Sequence, residues 1–229
     1  TVKIILRSRT HNEKVVDSLQ FYVEYLKEGK YRQEDVYGNT PFKIDLELDK
    51  SQLYGKLLKI EAIASDKIRI SGKFNESNIN TLVAYSSDIT KNVDSKSEYI
   101  SKTPSFSEEY FVNKKINTPF LNFSINALRE LVVGEVYYIR FKSFDNTVKS
   151  YRGIRVTNLT EASILKLELN GVNKKRIVDY LNMSVKVLAK DKRKQKIAYA
   201  RNTKNYIDKL FDNEADTLKG IEESISSYR

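Results

Sequence analysis

The chain has 229 residues, 40% of them apolar, enough for one large domain or two small ones with a real core. It has no cysteine, which excludes a disulfide scaffold, a thiolate metal site and a cysteine nucleophile. Its net charge is +10, which points toward acidic partners, and no run approaches the roughly 20 apolar residues of a membrane span.

Residues 2–6 read as a strand or as the end of an element that starts before Thr1. Residues 11–30 read as a helix, with Val15, Leu19, Tyr22, Val23 and Leu26 on its apolar face and Gly29 as its stop. Residues 31–41 form a loop with turn chemistry at Gly38-Asn39 and Pro41. From Phe42 the period becomes two: Phe42, Ile44, Leu46 and Leu48 alternate with Lys43, Asp45 and Glu47, the mark of a half-buried strand. Residues 57–63 and 67–71 form a hairpin around Ser65-Asp66. Residues 75–103 are polar, with a weak apolar centre at 82–85, and give no clear pattern. Strand patterns resume at 110–116 and 120–125. Residues 127–133 suit one or two helical turns ended by Gly134, and 136–141, 148–156 and 164–169 read as further strands. There is no internal repeat.

The last quarter organises the rest. Asn173 suits a helix N-cap, Gly171 lets the chain turn in, and no proline follows. Ile177, Leu181, Val185 and Leu188 mark one seam. Ala200, Thr203, Ile207, Leu210, Phe211, Leu218, Ile221, Ile225 and Tyr228 mark another. Between them, Lys192 and Lys196 occupy apolar slots, so we expect a solvated shaft or a kink there. The first seam should pack on the preceding domain up to about Ala189, and the second, from about Ile197, should work as a coiled coil. Unbroken, such a helix spans roughly 85 Å, so much of it must project or pack on something outside the chain. The expected fold is α+β: a base domain over 1–170 with a mixed or antiparallel sheet and packed helices, and a long projecting C-terminal arm over 171–229.

Charge divides along that arm. Residues 173–204 hold eleven basic and two acidic side chains, and residues 205–229 hold three basic and six acidic. Lys186, Lys190, Arg193, Lys194, Arg201 and Lys204 fall on one side of the wheel. Such a stripe can meet another subunit, an acidic glycan, a membrane surface or nucleic acid, or simply keep a long helix soluble. Between Lys186 and Arg201 the only ring is Tyr199, which argues against a reader of single-stranded nucleic acid.

Little suggests catalysis. His11 is the only histidine and reads as an exposed surface residue at the start of a helix. Gly-x-Ser-x-Gly and the glycine-rich phosphate loops are absent. Asp45, Glu47 and Asp49 share the solvent face of a strand. Glu108-Glu109 and Glu222-Glu223 have no partner at a recognisable spacing. We expect no enzyme activity, cofactor or metal.

Residues 170–182, Asn-Gly-Val-Asn-Lys-Lys-Arg-Ile-Val-Asp-Tyr-Leu-Asn, resemble the chain-length determinant family, the polysaccharide co-polymerases. So do residues 200–210, then Leu218, Glu222 and Tyr228-Arg229. Residues 35–42, Asp-Val-Tyr-Gly-Asn-Thr-Pro-Phe, and Thr118-Pro119-Phe120 are similar to the versions fused to a cytoplasmic tyrosine autokinase. The resemblance covers most of the chain as spaced residues rather than one sharp signature. It implies the periplasmic domain of an inner-membrane protein that acts without catalysis as a scaffold. Such a scaffold governs chain length and export of capsular polysaccharide, exopolysaccharide or O-antigen. The implied partners are further copies in a ring, the polysaccharide polymerase, an outer-membrane export channel, the growing polysaccharide, and the membrane through spans outside this stretch. Nucleic acid is not among them. Thr1 is not a methionine, and we expect a piece of a longer protein, truncated before a helix that returns along the arm. Ile207, Leu210, Phe211, Leu218, Ile221 and Ile225 are then the candidates for helix packing, and the basic stripe for subunit or glycan contact. The alternatives are a basic nucleic-acid-binding or general interaction module with a helical arm, and an enzyme acting on acidic glycans.

Overall fold

The computed structural model describes residues 2–86, 88, 94–158 and 164–227. Among these, four helices and fourteen strands make an α+β fold whose strand ladders are all antiparallel. The chain divides into two compact units, Thr1–Val185 and Lys186–Arg229.

The first unit opens with helices α1 (Val2–Arg7) and α2 (Arg9–Leu19), followed by β1 (Val23–Glu28) and β2 (Gln33–Asp35). Strands β3 (Phe42–Leu46), β4 (Gln52–Leu53), β5 (Leu58–Ala62), β6 (Lys67–Lys73), β7 (Ile79–Tyr85), β8 (Asp94–Ile100), β9 (Ser105–Phe111), β10 (Lys115–Asn117), β11 (Asn122–Ala127) and β12 (Val136–Phe141) follow. Helix α3 (Phe144–Tyr151), the hairpin β13 (Arg155–Asn158) and β14 (Leu165–Glu168), and helix α4 (Lys174–Ser227) complete the order. A six-stranded sheet runs β2-β1-β12-β5-β6-β9; two three-stranded sheets run β10-β11-β3 and β4-β7-β8.

Alternation dictates the core. Strand β3 buries Phe42, Ile44 and Leu46 and exposes Lys43 and Asp45, as its period of two requires. The β3–β11 ladder then sets ring against ring over the larger sheet. Phe42 meets Tyr137 edge-on at 5.6 Å, and Phe123 lies 5.6 Å from Phe141. Tyr22 stacks on Tyr85 at 4.1 Å, while Phe74, Tyr99, Phe106 and Phe120 form a separate aromatic cluster. Polar side chains are buried here too. The Gln52 side chain accepts from the Asn122 amide at 2.9 Å and donates to the Asn122 carbonyl, and the Asn122 side chain donates to Ser51 O and Thr118 O.

Several sequence expectations hold. Strand β3, the β5–β6 hairpin with Ala62 opposite Ile68, β12 and β14 lie where they were read, and Asn173 caps α4. Others are corrected. Residues 2–7 are helical: a strand would bury Ile4 and Leu6 together, but Leu6 is buried and Ile4 exposed. The helix expected to reach residue 30 stops at Leu19. Gln20 takes a left-handed φ of 49° and its N–H closes the last turn on Asp17 O and Val16 O. Val23 and Leu26 then serve β1, with Tyr22 just before it, and pairing with β12 outweighs a helical spacing that β-branched and aromatic residues support poorly. Strand β2 forms inside the expected loop 31–41. Residues 127–133 are not helical: β11 runs on to Ala127, and Gly134 turns the chain with φ 87°. The strand expected at 148–156 is divided: residues 148–151 end α3, which is started by Ser143, whose hydroxyl accepts from the Asn146 amide, and only Arg155 and Val156 are strand, in β13. Strands β7 and β8 supply order in the polar stretch 75–103, of which 87 and 89–93 lie outside the described residues. Likewise the expected strand 110–116 is divided between the end of β9 and β10.

Candidate functional site at the root of the long helix

Asp35 ends β2 opposite Leu26 of β1. Its carboxylate accepts from the Tyr37 amide at 2.9 Å, which turns the chain back, and Gly38 completes the turn with φ 80°. A β-carbon on Gly38 would lie 2.5 Å from Cγ of Lys175, so the first turn of α4 passes directly over it. Asn173 joins the two segments. Its Oδ1 accepts from the Arg176 amide at 3.0 Å as the N-cap, and its Nδ2 donates to the carbonyls of Asp35 (2.9 Å) and Tyr37 (3.2 Å).

Arg176 is the centre of the root. Its Nε donates to Asp35 Oδ2 at 2.9 Å, and its guanidinium lies over the Phe21 ring at 4.8 Å and the Tyr37 ring at 4.4 Å. One turn on, Asp179 accepts from the Tyr37 hydroxyl at 3.2 Å and from Lys175 Nζ at 3.0 Å. Tyr180 stacks on Tyr151 at 4.6 Å and donates from its hydroxyl to Asn12 Oδ1. Ser184 and His11 share a hydrogen bond of 2.7 Å between Oγ and Nε2. Arg176, Tyr180 and Ser184 are spaced by four and are all buried.

This corrects two sequence readings. The buried face of the first seam is Arg176, Tyr180, Ser184 and Val187. Ile177 and Leu181 lie at its edge and Val185 is half exposed. Every polar group on that face has a partner on another element, which is what allows it to be buried. His11 is not a surface residue: it is 2% exposed, and Ser184 is 0% exposed. Two such side chains share a hydrogen bond no substrate can reach, so the pair fastens α2 to α4.

Electrostatics follow burial. The phenols of Tyr22, Tyr37 and Tyr180 are pushed well above their ordinary range, and Tyr25 and Tyr151 are pushed up to about 12. Burial is the largest cause each time. For Tyr37 the neighbouring Asp179 carboxylate adds to it, and for Tyr151 the Arg176 charge opposes it. A cleft of about 220 Å³ lies beside the root, between the rings of Tyr25, Tyr37 and Phe42 and the side chains of Thr40, Lys43 and Asp179. Asp179 already takes two donors, and the Thr40 hydroxyl is committed to Phe42 O at 2.7 Å. As built, the root is a clamp: its ion pair, cap and ring stack all hold the first turns of α4.

The side chains singled out from the sequence are elsewhere, in the second unit. Ile207, Leu210, Phe211, Leu218, Ile221 and Ile225 are 44–71% exposed, and Lys186, Lys190, Arg193, Lys194, Arg201 and Lys204 are all exposed. Residues 190–196 remain helical, while Tyr228 and Arg229 lie outside the described residues. The sequence did contain a signal for the root: Asp35, Tyr37, Arg176, Asp179 and Tyr180 sit inside the two stretches quoted for the family resemblance. Their roles were not assigned. Among the described residues no helix is long and apolar enough to cross a membrane, and no cluster of three metal-ligating side chains occurs. No family model matches the chain, and no curated protein does.

Proposed function

We propose that this chain is a non-enzymatic scaffold of the polysaccharide co-polymerase kind, the periplasmic domain of an inner-membrane protein that regulates chain length and export of surface polysaccharide. The observation that carries the reading is the root of α4. The stretches 35–42 and 170–182 carry the resemblance and are separated by more than 120 residues of sequence. They meet through Asp35–Arg176, Tyr37–Asp179 and Asn173. Motifs shared for the sake of one packing arrangement should touch, and these do. The root residues all hold or cap one another, which suits a scaffold better than a catalyst. In this reading the partners are further copies in a ring, the polymerase, an export channel and the growing polysaccharide, and the exposed arm carries subunit contact.

The test is a gel of surface polysaccharide from cells carrying the full-length parent, intact, deleted, or bearing Leu218→Asp with Ile225→Asp. A changed chain-length distribution in both altered strains supports the reading and ties it to the arm. A change on deletion alone keeps the function and moves the critical surface elsewhere. An unchanged pattern in both sinks it.

A further inference from the structure

We propose that residues 197–221 of α4 pair with the same stretch of a second copy of this chain, running antiparallel. From Ile197 to Ile225 the exposed seam advances in alternating steps of three and four, the period of a left-handed coiled coil. Only two of its positions are charged, Lys204 and Glu214, and their signs are opposite. The pairing must dispose of both.

Antiparallel pairing does so in one register. With Ile207 opposite Phe211, Ala200 falls opposite Leu218, Ile197 opposite Ile221, and Lys204 opposite Glu214. The two-fold axis repeats each layer, so both charged layers hold an ion pair. Parallel and in register, Lys204 would face Lys204 and Glu214 would face Glu214, like charges in an otherwise apolar seam. A slip of one heptad in the antiparallel pair sets each charge against an apolar side chain, at the cost of desolvating it unpaired. The flank agrees, since Lys194 of one copy comes beside Glu222 of the other. The stripe that is basic through Lys204 turns acidic from Asp208, so reversing one copy lays the basic half along the acidic half. Asp208 meets its own copy near the axis, on the water-exposed edge where salt screens it. The seam side chains Ile197, Ile207, Phe211, Leu218 and Ile221 are 44–71% exposed and gain burial by pairing. The pairing uses the second unit alone and does not rest on the polysaccharide reading.

The chain has no cysteine, so two variants decide the matter. Ile197→Cys and Ile221→Cys are made separately in the 229-residue chain and oxidised mildly, alone and as an equal mixture. Antiparallel pairing gives a disulfide-linked heterodimer in the mixture, with little linkage in either variant alone. Linkage of each variant to itself reports a parallel pair and overturns the proposal. So does the absence of linkage when circular dichroism shows the helix intact, since the seam then serves another partner. Charge reversal gives an independent reading in the wild-type background. Lys204→Glu weakens dimerisation by about tenfold in sedimentation, and Glu214→Lys in the same chain restores it. Failure of the double variant to recover also overturns the register.

Discussion

Arg176 is the side chain on which most of the root depends. It is 9% exposed and Asp35 25%, so removing one partner leaves the other charge largely desolvated. Arg176→Ala should cost about 3 kcal/mol, since breaking buried pairs typically costs 3–5 kcal/mol and Asp35 keeps some water. Arg176→Lys should fall between, because lysine keeps the charge but loses the planar fork and the ring stacking. Urea unfolding of the chain measures both; a loss under 1 kcal/mol for the alanine variant would mean that water reaches Asp35 freely. Tyr180→Phe keeps the ring stack on Tyr151 and leaves Asn12 Oδ1, which is fully buried, without its donor. That should cost about 1–3 kcal/mol with no change in fold. The tyrosines also set an alkaline limit. A phenol whose folded pKa is raised favours the folded state below its ordinary value of 10.0 and loses that contribution as pH climbs toward the folded value, about 12 for Tyr25 and Tyr151. Stability should therefore fall between about pH 10 and 12, with tyrosinate absorbance and circular dichroism changing together. Ionisation well before unfolding would show that the rings are open to hydroxide.

At the scale of elements, α4 is one helix with two kinds of support. From Arg176 to Ser184 it is held by side chains of α2, β2 and α3, so those amides should exchange as slowly as the sheet. From Lys192 to Ser227 every residue is exposed. The stretch Lys186–Ser227 would span about 60 Å at 1.5 Å per residue, yet helical propensity alone leaves isolated helices marginal in water. Its amides should exchange quickly in dilute protein and gain protection as concentration rises. Protection independent of concentration would mean that the helix stands without a partner.

At the scale of the whole chain, stability resides in the first unit and the exposed apolar seam in the second. Leu218→Asp with Ile225→Asp replaces side chains that are each 61% exposed. It should leave unfolding of the first unit unchanged to within about 0.5 kcal/mol while abolishing association of the second. A lowered melting temperature in dilute protein would show that the two positions already support the monomer.

Local pattern alone was enough to determine the α+β class, the half-buried β3, the β5–β6 hairpin, β12, and the cap and length of α4. In those stretches period, turn residues and capping chemistry all agree. Where they disagree, pairing decided. Residues 23–26 carry helical spacing but complete a sheet, and Gln20 stops α2 without any of the usual residues. The root was legible only as two quoted stretches, because no local rule joins Asp35 to Arg176 or His11 to Ser184. Burying a charge or a hydroxyl depends on partners brought from other elements, and only the tertiary structure supplies them.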